Sequence, residues 1–246
     1  MKKIVFFLLL MASVLWQAQA LTAVADDAPV GASQLYMAAG GLPIEAKVEG
    51  PVQAQVDLQI ICLFKHKPQG DTYIEALDDL DHKLDGLLRS LRDRGMFTGD
   101  ALETILITPP KNRIGAQKLL IIGLGDENTL SRETMLRVGT VAFREAQHLH
   151  ATRVAYAPTI RDQGNSALKT EDVAGAVIES VILAYNTDQR MQKEGVSAPY
   201  TIALWEMEAG PKFYAGVKTV LQQAIVQSEK DLASRSPEPL LTPWKK

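Results

Sequence analysis

Short apolar runs alternate along this chain with longer stretches whose apolar residues recur every three to four positions. The first pattern predicts buried strands and the second amphipathic helices. Leu119 to Ile122 is a continuous apolar run, as expected where helices cover both faces of a sheet, and it leads into Gly123-Leu124-Gly125. A short acidic loop follows, then a helix from Ser131 to about His150 with Met135, Val138, Ala142, Ala146 and Leu149 turned inward. Ser131 is its expected N-cap, and Glu133 places negative charge in the first turn. Further strands are predicted over residues 56–64, 102–108, 152–157 and 201–207, and residues 43–56 read as one or two short strands.

A long helix is predicted after Thr72, which forms a capping box with Glu75. Ile74, Leu77, Leu80, Leu84, Leu87, Leu88 and Leu91 trace one apolar face, and Gly95 stands where a C-terminal cap belongs. Another helix begins at Thr170 as its cap, runs to about Met191 and closes at Gly195. Gly210-Pro211 opens a last helix that ends near Ala233. Strands alternating with helices in this way predict an α/β fold with a largely parallel or mixed sheet in one domain, residues 42–233.

The two ends differ from this pattern. Met1-Lys2-Lys3, an apolar run from Ile4 to Trp16 and the small residues of Gln17-Ala18-Gln19-Ala20 predict a secretory signal peptide over residues 1–20, with an alternative cut after Ala25. Residues 21–41 are rich in Ala, Asp and Gly and read as a flexible mature N-terminus. Residues 234–246 hold three prolines and read as an extended tail. The expected location is periplasmic or secreted, with no integral membrane segment once the leader is removed.

Cleavage would remove Lys2 and Lys3, so Lys plus Arg falls from 26 to 24 and the net charge moves from −3 to about −5. An acidic protein is a poor nonspecific partner for nucleic acid, so none is expected. Lys65-His66-Lys67 and Lys111-Asn112-Arg113 read as solvated surface. Cys62 is the only cysteine, which excludes an internal disulfide, and it lies in an apolar run where it packs as a small hydrophobe.

No constellation for catalysis emerges. A hydrolytic metal site needs three or more converging ligands, yet the chain has four histidines, His66, His82, His148 and His150, and no HExxH. His148 and His150, two apart at a helix end, point to different sides. Asp78, Asp79, Asp81 and Asp85 read as the solvated face of their helix. There is no Gly-x-Ser-x-Gly elbow and no Cys/His nucleophile context. No metal and no cofactor are therefore expected. Strand–Gly-x-Gly–helix is the generic edge of an α/β ligand site, so Gly123, Gly125 and Ser131 are candidates to receive a phosphate or carboxylate. The third glycine of a dinucleotide fingerprint is missing, and Asp126 and Glu127 place negative charge there. The alternative is that both glycines simply make a tight strand-to-helix turn.

Three stretches, in order, carry a resemblance. Leu120-Ile-Ile-Gly-Leu-Gly125 with its following helix, the helix end Ile182-Leu-Ala-Tyr185-Asn-Thr-Asp188-Gln-Arg190, and the segment from Ala224 to Pro243 together resemble the N-terminal domain of the leucyl (cytosol) aminopeptidase family. In the last, Asp231, Leu232, Pro237, Leu241, Thr242 and Pro243 match the family's interdomain linker, while Lys230, Ala233 and Glu238 depart from it; Thr187 replaces an aromatic in the second. The resemblance spans about residues 57–243 and implies a three-layer α/β/α sandwich like that of macro domains. It also implies that the chain ends where the two-metal catalytic domain would begin, so no catalytic residue is carried over. Asn186-Thr187-Asp188 is superficially similar to the family's metal motif but lies inside a predicted helix and lacks the Ala-Glu-Gly continuation.

The expectation is a secreted, non-catalytic interaction, regulatory or oligomerisation module, whose partner is a second copy or an envelope protein such as an aminopeptidase. The alternatives are binding of a nucleotide-like or carboxylate ligand at the glycine turn, and aminopeptidase-associated activity only with a separate catalytic partner.

Overall fold

The computed structural model describes residues 27–238. The expected signal peptide and the Leu241-Thr242-Pro243 motif lie outside the described residues. Among the described residues seven strands form one sheet: β1 (Ser33–Ala38), β2 (Leu42–Lys47), β3 (Leu58–Leu63), β4 (Thr104–Ile107), β5 (Lys118–Gly123), β6 (Arg153–Ala157) and β7 (Leu204–Glu208). Five α-helices among the described residues join them: α1 (Glu75–Lys83), α2 (Leu87–Asp93), α3 (Arg132–His148), α4 (Thr170–Lys193) and α5 (Tyr214–Ala233). The order across the sheet is β1-β2-β7-β6-β3-β5-β4. The five inner strands run parallel, and the edge strands β1 and β4 pair antiparallel with β2 and β5. The fold is thus the expected α/β sandwich with a mixed, largely parallel sheet.

Residue alternation in the inner strands divides the core in two. Leu58, Ile60 and Cys62 of β3, with Leu120 and Ile122 of β5, face the larger core formed with α3, α4 and α5. Ile61, Leu63, Leu119 and Ile121 face the smaller one under α1 and α2. Apart from Gln59 in β3 and Lys118 at the start of β5, both strands are apolar because both faces are covered. The helix α4 packs between α3 and α5. Its approach to α3 is close enough that a Cβ on Gly139 would lie 2.1 Å from Ser180 Oγ and 2.6 Å from the Val177 carbonyl.

Several local expectations are corrected. Residues 33–38 are not a flexible tail but strand β1, whose register runs from Ser33 opposite Lys47 to Ala38 opposite Leu42. Of the one or two short strands expected within residues 43–56, one forms, β2, and the remainder is a connection that buries Pro51, Ala54 and Val56. The helix predicted after Thr72 is two helices, broken at Asp85 (φ 55°) and Gly86 (φ 79°), and Ile74, at the cap position before α1, is exposed. No capping box forms: the cap position is Ile74, without a side-chain hydrogen bond. The carboxyl of Asp162, which arrives from a distant loop, is instead the group that faces the Leu77 amide, and that amide lowers it. Gly95 does close α2, its amide donating to Arg92 O and that of Met96 to Leu91 O.

Asp81 is likewise not on a solvated face. It is 1% exposed, and its Oδ1 accepts from the amides of Leu88 (2.8 Å) and Arg89 (3.3 Å), capping α2 from the end of α1. Arg89 adds an ion pair to its Oδ2 at 2.5 Å. Lys169, not Thr170, holds the cap position of α4, and Gly210-Pro211 precede α5 in a turn rather than forming its first residues.

Candidate functional site

The strand β5 delivers Gly123-Leu124-Gly125 to the carboxyl end of the sheet, where all three residues are buried. Their amides are fully engaged. Gly123 donates to Glu103 O (2.7 Å), Leu124 to Leu63 O (2.8 Å) and Gly125 to Gly99 O (2.9 Å), while the Gly123 and Gly125 carbonyls accept from Leu102 and Lys65. The loop over residues 98–103 therefore sits directly on the turn. It is anchored by Arg92, 2% exposed, which donates to Asp71 Oδ2 (2.7 Å), Phe97 O and Phe64 O. Ser131, beyond a 3-10 turn at Glu127–Thr129, has its hydroxyl engaged as the N-cap of α3, accepting from the Thr134 amide at 3.2 Å. The acids flanking the turn are paired: Lys65 reaches Asp100 and Lys67 reaches Glu127, each at 2.7 Å. Gly123 and Gly125 thus share one packed turn, and Ser131 stands apart from them in a separate cap.

A second feature lies farther along the same end of the sheet. Beyond the ends of β6 and β7 is a cleft of about 140 Å³, lined by Glu49, Glu75, Asp162, Thr170, Glu208 and Phe213 among others. Glu206 and Glu208 alternate with Trp205 and Met207 along β7, a pattern that reads in sequence as a strand with one polar face. In the fold both acids are buried. Glu206 is held by Lys47 at 2.9 Å, and Lys47 also reaches Glu49 at 2.7 Å. Glu208 has no such ion pair, and burial pushes its carboxyl well above the usual range. Gln59 and Lys47 oppose that shift, while Glu49 and Glu206 reinforce it. Asp162 is pushed up to about 6, by burial first and then by Glu75. The guanidinium of Arg161 stacks over the Phe213 ring at 4.7 Å.

Cys62 occupies the end of β3 in the core. Its Sγ lies 3.0 Å from the Tyr156 hydroxyl, and burial pushes the thiol up to about 12. The β3–β6 ladder ends at Ile61 opposite Ala157. Beyond it side chains take over: Thr159 Oγ1 accepts from the Cys62 amide and donates to its carbonyl, and Gln163 accepts from the Phe64 amide at 2.8 Å. His148 and His150 are both exposed. Asp188, within α4, is buried and accepts hydrogen bonds from Gln147, Gln192 and Ser197, a structural junction. Among the described residues no group of three or more His, Cys, Asp or Glu is placed to hold a metal ion. No helix among them is long and apolar enough to cross a membrane.

Comparison with known proteins places this geometry. Residues 60–195 match the profile of the cytosol aminopeptidase family, N-terminal domain. A protein named "Probable cytosol aminopeptidase" from Alkaliphilus oremlandii is 31% identical over 134 residues, covering 52% of this chain and 26% of the relative. One of the same name from Thermosynechococcus vestitus is 29% identical over 123 residues, covering 50% and 24%. The matches thus span about a quarter of the length of these relatives. Among solved structures, a tomato leucine aminopeptidase mutant superposes with a TM-score of 0.57 at 23% identity, over 89% of this chain and 41% of that one. An Oceanobacillus iheyensis macrodomain with ADP superposes with a TM-score of 0.56 at 10% identity, over 81% of this chain and 100% of that one. At these identities the two structures bear on the fold alone.

Proposed function

The chain belongs to the cytosol aminopeptidase family through its N-terminal domain, and from that premise we propose that it is an exported, non-catalytic interaction module that self-associates through the edge of its sheet. The observation that carries this reading is the character of β1. Among the described residues it is an edge strand, paired with β2 alone. Its sequence, Ser33-Gln-Leu-Tyr-Met-Ala38, contains no charged residue and no proline, the devices that usually guard an edge. Leu35 and Met37 are 53% and 60% exposed on one face of the strand, with Val30 exposed nearby. Antiparallel pairing of β1 with the same strand of a second copy is a two-fold contact that closes on itself. It would satisfy the free row of backbone groups and cover both apolar side chains. Tyr36 is turned the other way, its hydroxyl donating to Lys218 O, which holds the strand against α5.

Sedimentation of the full-length expressed and processed protein tests the reading. A dimer in the micromolar range, converted to monomer by Leu35→Lys with Met37→Lys while the melting temperature is kept, is the expected result. A monomer at every concentration would remove the self-association. N-terminal sequencing of the protein from its own cells tests export, and a chain still beginning at Met1 in the cytoplasm counts against it. Metal-dependent turnover of leucyl substrates by the purified chain would overturn the non-catalytic part.

A further inference from the structure

The cleft beyond β6 and β7 contains an acid for which the described residues supply no ion pair. Glu208 is 6% exposed and lines the cleft; the Gln59 side chain approaches it and lowers its carboxyl, but neither carboxyl oxygen has a hydrogen-bond partner of good geometry among the described residues. Lys47 reaches Oε2 of each of the neighbouring acids Glu206 and Glu49, while Oε1 of Glu206 also lacks a hydrogen-bond partner. Thr170 Oγ1, in the same cleft, is a second buried polar atom without a partner. Buried polar atoms are matched as a rule, and an unmatched carboxyl facing a cavity calls for a ligand that supplies the donor.

The lining specifies the ligand. Glu49, Glu75, Asp162 and Glu208 face it against one basic group, Arg161, which is stacked on Phe213. That balance disfavours a phosphate or carboxylate and favours a cation. The rest of the wall includes Ile160, Leu168, Val173 and Phe213, which suit a short hydrocarbon body. A cavity of about 150 Å³ holds a molecule the size of benzene, so this cleft accepts roughly six heavy atoms.

We propose that this cleft binds a small primary ammonium group on a short apolar body, with Glu208 as its ionic partner and Thr170 as a further acceptor. Burial, Glu49 and Glu206 together outweigh Gln59 and Lys47 and raise the Glu208 carboxyl, which favours its acid form. Asp162 and Glu75 with Arg161 face the same space. Entry of the ammonium favours the carboxylate, so the Glu208 proton leaves to solvent as the ion pair forms, and the charge balances. The ammonium source is either a free amine or the N-terminus of a peptide.

Calorimetric titration of the full chain with n-butylamine at neutral pH, in two buffers of different ionisation enthalpy, tests this. The expected result is binding with release of about one proton per amine, and about tenfold or greater weakening both with n-butanol and in Glu208→Gln. The conservative variant is checked by circular dichroism and melting. Proton release by the unmodified protein is a readout that does not depend on the variant folding. Equal binding of n-butanol, absence of proton release, unchanged affinity in a folded Glu208→Gln, or no binding of n-butylamine would each overturn the proposal. A dipeptide with a small apolar first residue separates the two sources: tighter binding than n-butylamine supports a peptide N-terminus, and weaker binding supports a free amine.

Discussion

Gly123 lies so close beneath Asp100 that a Cβ built on it would stand 2.0 Å from the Asp100 carbonyl oxygen. The missing side chain is what lets the loop over residues 98–103 seat on the end of β5. Gly123→Ala is therefore expected to lower stability by about 2–3 kcal/mol, as overpacking against backbone does. At Gly125 the nearest atom to the added Cβ would be the Ala101 Cβ at 3.2 Å, and the cost there comes mainly from its φ of +75°. Gly125→Ala is expected to cost about 1–2 kcal/mol. Urea denaturation of both variants checks the order, and a harmless Gly123→Ala would mean that the loop does not pack as described.

Asp81 illustrates a cap that reaches forward across a break. Its removal leaves the Leu88 amide without its partner and releases Arg89. Asp81→Ala is expected to destabilise by about 2 kcal/mol, whereas Asp79→Ala, exposed on the same helix, should stay within about 0.5 kcal/mol. Equal effects at the two positions would refute the capping role.

Two groups of acids are expected to move stability with pH in opposite directions. Burial works against ionisation of Asp71, but hydrogen bonds from Arg92 and the Lys67 amide prevail and hold its carboxyl below the usual range. Its contribution is present above the unfolded value near pH 4 and is lost as pH falls through the depressed folded value; Asp71→Asn should remove that acid limb. Asp162 and Glu208 are raised. Their contributions are full below their unfolded values near pH 4 and decline as pH rises toward the folded ones, about 6 for Asp162. Glu208→Gln is thus expected to be more stable than the parent at neutral pH and little changed at acid pH. Denaturation midpoints across pH decide this, and a neutral-pH loss in Glu208→Gln would refute the assigned sign.

Cys62 should be chemically silent in the folded protein. With its thiol fully buried and pushed up to about 12, neither access nor the thiolate is available. A disulfide reagent at mildly alkaline pH is expected to label it only at the rate of unfolding, so labelling should accelerate with urea. Fast labelling without denaturant would show that the end of β3 opens locally.

Much of this architecture is determined by the sequence alone, because burial is written into local pattern. The continuous apolar runs at β3 and β5 mark strands covered on both faces, and the inward positions of α3 follow the helical period. Ser131 is legible as a cap because its partner is three residues away. What only the tertiary structure decided depends on groups brought from far along the chain. Residues 33–38 become a strand because β2 supplies the ladder. The amides of Gly123-Leu124-Gly125 are closed by residues 63, 99 and 103. Asp81 is read as solvated until the break at Asp85–Gly86 turns α2 back onto it. Glu208, which alternates along β7 as a surface residue would, is buried beside the segment 49–51 at the cleft. Hydrophobic periodicity reports which face of an element is covered. It does not report which distant polar group meets a given amide or carboxyl, and that pairing is where the chemistry of this protein lies.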